Sequence, residues 1–336
     1  MGNFAIHGFG RIGRATVRAA MRLNLQFPTG ISDIKDANIL ATLLFTDTNY
    51  GLFPSAITAD ASSINIGSHR ISYFDVSREL PRWDEEGVDV VVDCTSHATT
   101  RAGAEKHLER GAKAVLVSAP PRSPQDADAI LLRGINLETF NPTTDRIISM
   151  ASCTTNALAP VVKILEEQWG IDYGVFATVH AYTSTQSLTD QPMRDRRDSW
   201  AAAENIIPST SGAAKALKFI WPELNITGKA YRVPVRTGSI VELDVITKKP
   251  ARVDDLNETF ITMSRDADWT SIFSVLQEEF ASSRIVGETH SSIVDLPLTT
   301  VVNGNFVSVA IWYDNEMGYA SRLVETAQYI ADNVTK

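Results

Sequence analysis

Hydrophobic residues in the first half of the chain occur in short runs separated by helical stretches. Phe4-Ala5-Ile6 leads into a glycine-rich turn, and the segment from Thr16 to Met21 then has helical character. The β-branched runs Val88 to Asp93 and Ala114 to Val117 flank a helical stretch from Thr99 to Arg110. Strands buried on both faces of a parallel sheet are apolar throughout. The pattern therefore predicts an α/β fold that begins with a Rossmann-type, doubly wound parallel sheet.

After about residue 150 the pattern changes to longer β-rich segments. Residues Tyr173 to Tyr182, Ser239 to Thr247 and Phe306 to Tyr313 predict a mixed, largely antiparallel sheet with helices on one face. A last amphipathic helix is expected from Gly318 to Val334, where apolar residues recur at helical spacing. The change of pattern near residue 150 predicts a doubly wound α/β domain followed by an α+β domain.

Length, charge and cysteine content narrow the class of protein. The 336 residues exceed one typical domain of about 100–200 residues. A net charge of −9 disfavours nucleic acid or an acidic membrane as the main partner. No apolar run approaches the roughly 18 residues of a membrane span, and no signal-like core is present. Only Cys94 and Cys153 occur, so we expect no disulfide framework and a cytoplasmic location. The six histidines lack metal-ligand spacing, which predicts no metal site.

The run Ser152-Cys153-Thr154-Thr155-Asn156 places a cysteine among polar residues at the predicted start of a helix. A helix N-terminus favours the thiolate, which is the nucleophilic form of cysteine. The alternative is a buried, inert cysteine, because free cysteines are among the most buried residues. The polar neighbours suit an anion or an oxyanion better than a core thiol. We therefore take Cys153 as a candidate nucleophile.

The second candidate for chemistry is His180, in the segment Val179-His180-Ala181-Tyr182-Thr183. An imidazole near a cysteine can accept a proton from the thiol or from a reacting hydroxyl. The alternative is a strand histidine whose nitrogens are satisfied within the fold. Together, Cys153 and His180 predict covalent aldehyde chemistry at a cysteine.

The segment from Gly8 to Gly13 follows the pattern G-x-G-x-x-G after a predicted strand, with glycines at 8, 10 and 13. Glycines at these positions let backbone amides approach a pyrophosphate at a helix N-terminus. Twenty positions after Gly13, Asp33 ends a short predicted strand, where its carboxylate can accept both ribose hydroxyls and repel a 2′-phosphate. The motif predicts NAD rather than NADP. Asp33 has the alternative role of a turn residue after Ser32.

Several ordered motifs together make the chain similar to the glyceraldehyde-3-phosphate dehydrogenase family over nearly its whole length. This resemblance implies an NAD-binding domain over residues 1–152, a catalytic domain over 153–316, a C-terminal helix that packs back on the first domain, and a homotetramer. The matching segments are Ile6 to Arg14, Ala151 to Asn156 with His180, Ile206 to Lys215, Tyr231 to Pro234 and Trp312 to Tyr319.

The resemblance also implies a reaction, the phosphorylating oxidation of glyceraldehyde 3-phosphate to 1,3-bisphosphoglycerate with NAD. Cys153 attacks the aldehyde, and hydride leaves the hemithioacetal for the nicotinamide while His180 removes the hydroxyl proton. Inorganic phosphate then attacks the resulting thioester, with His180 and the Cys153 amide stabilising the oxyanion.

The family's cofactor contacts transfer residue by residue. Arg11 and Ile12 would flank the pyrophosphate and adenine, and Asn315 would hold the nicotinamide carboxamide. The other cofactor positions implied are Arg78, Thr95, Ser118 and Tyr319.

Two anions must be held, the phosphate of the substrate and the attacking phosphate, and arginine forks with hydroxyl groups suit both. Arg232 and Thr183 match the substrate-phosphate site. The attacking-phosphate site is matched by Ser152, Thr154, Arg197, Ser211 and Gly212.

This chain departs from the family pattern at several of these places. The family usually has Asn at His7 and Gly at Ser96, both beside the dinucleotide, which leaves cofactor affinity open. The segment from Arg194 to Trp200 diverges most, because a further Arg usually stands at Trp200. Its arginines have the alternative role of subunit contacts. A second cysteine is usual at Ala157, where it does no chemistry.

Two other functions stay open at this point. One is the dehydrogenation of another phosphorylated aldehyde, such as erythrose 4-phosphate. The other is a non-catalytic, NAD-binding regulatory paralogue, against which Cys153 and His180 argue. The sequence does not decide the physiological aldehyde or the glycolytic or gluconeogenic direction.

Overall fold

The computed structural model describes residues 2–95, 97–193 and 195–334 of the chain. The chain divides into two compact units, one formed by residues 1–151 with 320–336 and the other by residues 152–319. The predicted division into an NAD-binding domain over residues 1–152 and a catalytic domain over residues 153–316 stays a prediction. Ser96 and Arg194, which carried part of the sequence comparison, lie outside the described residues.

The first unit alternates strands and helices in its first half and adds a β-hairpin in the middle. Its strands are β1 Phe4–His7, β2 Gly30–Asp33, β3 Thr46–Asp47, β4 Gly51–Leu52, β5 Ile57–Asp60, β6 Ser63–Ile66, β7 His69–Asp75, β8 Val90–Asp93, β9 Ala114–Val117, β10 Ala129–Ile130 and β11 Ile147–Ser149. Its helices are α1 Arg11–Leu23, α2 Ala37–Phe45 and α3 Arg101–Glu109, with 3-10 turns at Pro124–Asp126 and Leu137–Thr139.

Among the described residues, nine of these strands form one sheet in the order β10-β11-β9-β8-β1-β2-β7-β6-β5. All neighbours from β10 to β7 pair in parallel, and β6 pairs antiparallel with both β7 and β5. The core strands β8 and β9 are wholly buried, as their apolar runs predict. Because the strands are parallel, the ends of β1, β2, β8 and β9 reach the same edge of the sheet.

The second unit combines long strands with helices. Its strands are β12 Ile171–Ala181, β13 Ile207–Thr210, β14 Ile226–Val233, β15 Ser239–Thr247, β16 Phe273–Leu276, β17 Ser292–Asp295, β18 Thr300–Val302 and β19 Phe306–Tyr313. Its helices are α4 Cys153–Gln168, α5 Ala213–Ile220, α6 Val253–Arg265 and the start of α7 Met317–Val334, with 3-10 turns at Arg197–Ser199, Ser282–Ile285 and Leu296–Leu298.

In the part of the chain that the structure describes, these eight strands form a mixed sheet in the order β13-β14-β12-β15-β19-β17-β16, with β18 beside β19. β12 pairs in parallel with β14 and antiparallel with β15, so it lies at the centre of the sheet. Helix α4 packs on β15, β17 and β19 through a face of buried aliphatic residues. This packing brings the first turn of α4 to the end of β12.

The predicted fold class is confirmed, with a Rossmann-type parallel sheet and a second, mixed sheet. The strands predicted at 239–247 and 306–313 have those limits, and the last helix begins at Met317. The antiparallel pair β5–β6 was not predicted from the sequence pattern. Within residues 2–95, 97–193 and 195–334, no helix has both the length and the apolar character that a membrane crossing needs.

Candidate active site and dinucleotide site

Cys153 is the first residue of α4, as the polar run around it predicts. Ser152 is the N-cap, and its Oγ accepts a hydrogen bond from the Thr155 backbone N–H at 3.1 Å. Just before the cap, the buried Ala151 has a φ of 54°, a left-handed conformation that costs an alanine about 1–2 kcal/mol. The turn therefore directs the Cys153 thiol toward the unpaired amides at the helix N-terminus.

The His180 side chain faces this thiol. Its Nε2 lies 3.4 Å from the Cys153 Sγ, although the two residues belong to different elements, α4 and β12. The His180 Nδ1 lies 2.7 Å from the Ala181 carbonyl oxygen, which can only accept a hydrogen bond. The tautomer that donates from Nδ1 to this carbonyl leaves the Nε2 lone pair toward the sulfur. His180 is thus oriented as a base for the thiol.

The charges of this pair follow from burial. Burial, followed by the nearby Arg232 charge, lowers the pKa of His180 to about 3, so that its imidazole is neutral near pH 7. Burial raises the pKa of the Cys153 thiol, while Arg232 and hydrogen bonds at Thr154 act in the opposite direction. The sequence argument from the helix N-terminus expected a favoured thiolate. In this arrangement the raised pKa favours the thiol, and the neighbouring group that can accept its proton is His180.

Arg232 lies on the neighbouring strand β14, directly opposite His180 in the parallel register. Its Nη1 contacts the His180 Nδ1 and lies 3.3 Å from the Ala181 carbonyl oxygen. With the proton on Nδ1, the imidazole and the guanidinium both donate toward the Ala181 carbonyl oxygen. The sequence predicted Arg232 only as a phosphate contact, and pairing of β12 with β14 is what brings it to the base.

Tyr313 is a part of the site that the sequence did not predict. Its hydroxyl is fully buried and lies 3.0 Å from the Thr154 Oγ1 and 2.8 Å from the Thr178 Oγ1. Its ring packs edge-on against His180, with 5.9 Å between ring centroids. These contacts hold α4, β12 and β19 in register below the Cys153–His180 pair. No sequence signal links Thr154 with Tyr313, because 159 positions separate them.

The remaining predicted phosphate residues lie in loops and at helix starts of the same unit. The Thr183 hydroxyl lies 2.9 Å from the Thr185 hydroxyl, and Gly212 caps α5 without a side-chain bond. The Ser211 Oγ accepts a hydrogen bond from the Ala213 N–H at 3.3 Å, and Arg197 opens a 3-10 turn. Their roles as phosphate contacts stay a prediction, as do those of Ser152 and Thr154, whose hydroxyls already bond within the fold.

The predicted glycine loop joins β1 to α1 in the first unit. A Cβ built on Gly8, where φ is +87°, would lie 2.6 Å from the Thr95 Cγ2, and one on Gly13 would lie 2.4 Å from the Gly8 carbonyl oxygen. A Cβ on Gly10 would meet nothing within 4 Å. Gly10 is the N-cap of α1 and makes no side-chain cap. The loop thus leaves an open cradle of backbone N–H groups, which fits a pyrophosphate.

Three predicted cofactor residues follow strands of the parallel sheet at its common edge. Asp33 ends β2, and its Oδ2 accepts a hydrogen bond from the Phe9 N–H of the glycine loop at 2.7 Å. Thr95 follows β8, and its hydroxyl donates to the Asp93 Oδ1 at 2.7 Å. Ser118 follows β9, and its N–H bonds the Asp93 carbonyl at 2.9 Å. These contacts bring Asp33, Thr95 and Ser118 to the edge that carries the glycine loop.

The other predicted cofactor residues do not all follow strands of the parallel sheet. The Arg11 Nη1 forms an ion pair with Asp47 at 2.6 Å, Ile12 is half-buried, and Arg78 is exposed beyond the end of β7. Asn315 and Tyr319 are buried within residues 152–319. The Asn315 Oδ1 accepts a hydrogen bond from the Ser239 hydroxyl at 2.9 Å. The cofactor roles of these five residues stay a prediction.

His7, which stands where the resembled family usually has Asn, lies at the end of β1 and belongs to a buried polar cluster. Among the described residues, His7, Asp93 and His107 form one group whose ligating atoms lie within 4.8 Å of one another. The Trp83 Nε1 donates to the His107 Nδ1 at 3.2 Å, so the His107 proton is on Nε2, which faces the Asp93 Oδ2 at 3.2 Å. This tautomer does not offer Nε2 as a metal ligand. The cluster is satisfied by hydrogen bonds, although the sequence did not predict that these histidines meet.

Comparison with known proteins agrees with this geometry. Residues 3–101 match the family model of the glyceraldehyde 3-phosphate dehydrogenase NAD binding domain, and residues 152–315 match that of the C-terminal domain. The chain is 40% identical to the glyceraldehyde-3-phosphate dehydrogenases of Priestia megaterium and Geobacillus stearothermophilus, over 97% of this chain and of each relative. It is 42% identical to glyceraldehyde-3-phosphate dehydrogenase 1 of Trichormus variabilis, over 95% of this chain and 94% of the relative. The chain therefore belongs to the glyceraldehyde-3-phosphate dehydrogenase family.

Proposed function

We propose that this chain is an NAD-dependent, phosphorylating glyceraldehyde-3-phosphate dehydrogenase. The observation that carries the proposal is the 3.4 Å contact between the Cys153 Sγ and the His180 Nε2 at the start of α4. This contact joins a thiol to a neutral base whose free lone pair faces it. A buried, inert cysteine would have no need of such a partner.

The reaction begins when His180 accepts the thiol proton and the Cys153 sulfur attacks the aldehyde carbon. His180 passes that proton to the new alkoxide, which gives the hemithioacetal hydroxyl, and takes it back as the carbon is oxidised to a thioester. NAD, when bound, supplies the acceptor for the hydride. Inorganic phosphate then attacks the thioester, and the carbon–sulfur bond breaks to release the acyl phosphate and the thiolate. The amides at the start of α4 stabilise the oxyanion in the steps that form a tetrahedral carbon.

The first unit fits the dinucleotide. The open space above Gly10 admits a pyrophosphate to the N-terminus of α1, and Asp33 presents its carboxylate where ribose hydroxyls bind. Gly8 and Gly13 allow this loop its close packing. Arg11, Ile12, Arg78, Thr95, Ser118, Asn315 and Tyr319 complete the proposed cofactor contacts.

The proposed phosphate contacts are Arg232 and Thr183 for the substrate, with a second set for the attacking phosphate. Arg232 supports this assignment because it lies beside His180. The second set is Ser152, Thr154, Arg197, Ser211 and Gly212.

We extend the proposal to a cytoplasmic homotetramer. The outward face of β12 carries Tyr173, Val175 and Val179, whose exposed fractions are 52%, 51% and 42%. Adjacent exposed apolar residues on one sheet face are typical of a protein–protein interface. Both cysteines are free, which suits a reducing compartment.

The test is formation of NADH from glyceraldehyde 3-phosphate, with and without inorganic phosphate. We expect phosphate-dependent turnover that Cys153→Ser abolishes and that the matched control Cys94→Ser retains. Erythrose 4-phosphate as substrate tests the four-carbon alternative. Binding of NAD with no acyl-enzyme from either aldehyde would overturn the proposal in favour of a non-catalytic paralogue.

A further inference from the structure

The divergent loop before β13 brings an acidic residue toward the catalytic arginine. Asp198 is the middle residue of the 3-10 turn Arg197–Ser199, and this turn packs on β13. β13 pairs with β14 in a register that sets Ile207 opposite Arg232. The strand on which this turn packs is therefore the direct neighbour of the strand that carries Arg232.

Asp198 also lines a cavity of about 510 Å³ in the same loop. The cavity contains a second carboxylate, Asp195, and the side chain of Thr185, whose hydroxyl lies 2.9 Å from the Thr183 hydroxyl. Thr183 is a proposed substrate-phosphate contact. The other residues that line the cavity are Met193 and Arg196. Two acids and one arginine thus line a cavity beside a site proposed for phosphate.

Asp198 and Arg232 act on each other electrostatically. Partial burial raises the pKa of the Asp198 carboxyl, the Asp195 charge adds to this, and the Arg232 guanidinium acts in the opposite direction. In the part of the chain that the structure describes, Asp198 has no hydrogen-bond or ion-pair partner of its own. Among the described residues, its charge is therefore not neutralised by a neighbour in contact, and it acts on an anion that approaches Arg232.

We infer that Asp198 is a specificity-determining residue that opposes the binding of phosphoryl groups at Arg232. The inference rests on the proposed function of this site. A phosphate dianion gains from the Arg232 charge but is repelled by Asp198, so the net attraction of the site is reduced. The consequence is a weak affinity for phosphate with little effect on the bond-making steps at Cys153.

The experiment compares Asp198→Asn and Asp198→Glu in the full-length protein, with Asp268→Asn as a control for loss of an exposed acid elsewhere in the same unit. The KM for inorganic phosphate, the KM for glyceraldehyde 3-phosphate and kcat are measured. In a separate measurement, phosphorus NMR line widths report the binding of inorganic phosphate. Unphosphorylated glyceraldehyde serves as the substrate without a phosphoryl group.

We expect Asp198→Asn to lower the KM for at least one phosphoryl ligand about three- to tenfold and to tighten phosphate binding, with kcat changed less than twofold. The ligand that responds identifies which phosphate lies nearest to Asp198. Asp198→Glu and Asp268→Asn should behave like the natural chain, and the KM for glyceraldehyde should not move.

Two results would overturn the inference. One is unchanged phosphate binding and unchanged KM values in Asp198→Asn. The other is an equal effect of Asp198→Glu, or an equal effect on glyceraldehyde, which would mean that packing rather than charge is altered. If the protein oxidises no aldehyde, the proposed function fails, while the direct phosphate measurement still decides the role of Asp198.

Discussion

The dinucleotide loop and the cysteine site are built in opposite ways. The loop offers backbone groups, and its glycines have no side chains that would cover them. All of these groups lie within six consecutive positions. The cysteine site works through side chains from α4, β12, β14 and β19, brought together over more than 150 positions. A short motif can therefore predict the loop almost completely. The same approach finds the proposed nucleophile and base of the cysteine site but not the residues that contact them from other strands.

The two sites also differ in charge. The parallel-sheet edge gathers carboxylates, Asp33 and Asp93, near amides that favour an anion. The cysteine site has the Arg232 cation at its centre, which disfavours a charged imidazole. We therefore expect the glycine loop to be sensitive mainly to added side-chain volume and the cysteine site to be sensitive mainly to changes of charge.

Loss of the base should have the largest effect. We expect His180→Asn to lower kcat/KM for glyceraldehyde 3-phosphate by about 10²–10⁴-fold, because general-base catalysis is removed while the thiol remains. His69→Asn, a change at an exposed histidine, should leave it unaltered. A loss below tenfold would show that His180 is not the base and would remove the main contrast between the sites.

Two glycine substitutions separate cofactor binding from folding. Gly13→Ala should destabilise the protein by about 1–3 kcal/mol, because the new Cβ would lie 2.4 Å from the Gly8 carbonyl oxygen. Gly10→Ala meets open space, so it should leave the thermal midpoint nearly unchanged but weaken NAD binding about tenfold or more. Unfolding curves and NAD titrations of both variants test this. Equal NAD affinity in Gly10→Ala would contradict the proposed cradle.

The pH dependence of alkylation tests the charge state of the cysteine site. Burial raises the pKa of the Cys153 thiol, and iodoacetamide reacts with the thiolate. In the Cys94→Ser protein without ligands, the alkylation rate should rise about tenfold per pH unit from pH 6 toward the pKa of Cys153. A rate that is flat between pH 5 and 8 would instead indicate a preformed thiolate–imidazolium pair.

Acid sensitivity of the first unit should show the smallest effect. Burial lowers the pKa of His7 to about 4 from an ordinary value of 6.5. As the pH falls, His7 is therefore protonated in the unfolded chain at a higher pH than in the folded chain. The resulting contribution to stability is present above pH 6.5 and is lost as the pH falls toward 4. We expect His7→Asn to reduce this loss by on the order of 1 kcal/mol, after allowance for partial exposure. Thermal midpoints at pH 7 and pH 4.5 measure it, and an identical decline in both proteins would contradict it.

The outcome of the sequence predictions differs between local and long-range features. The strands predicted at 114–117, 239–247 and 306–313 and the helix that begins at Cys153 were predicted correctly, whereas the pair β5–β6 was not predicted. The contact of Tyr313 with Thr154, the meeting of His7 with His107 and the packing of the Asp198 turn on β13 were not predicted either. Each of these depends on strand order or on helix packing, which no local pattern contains.

The sequence alone predicted several of the long strands and helices, and it marked the glycine loop and Cys153 with His180 as candidates for pyrophosphate binding and for chemistry. It did so because these properties depend on hydrophobic period and on residue type over a few positions. Only the tertiary structure placed Arg232 against His180, brought the Cys153 thiol to the buried His180 and set Asp198 on a turn that packs on β13. These properties depend on burial and on charges from other strands, and folding alone brings those groups within a few ångströms.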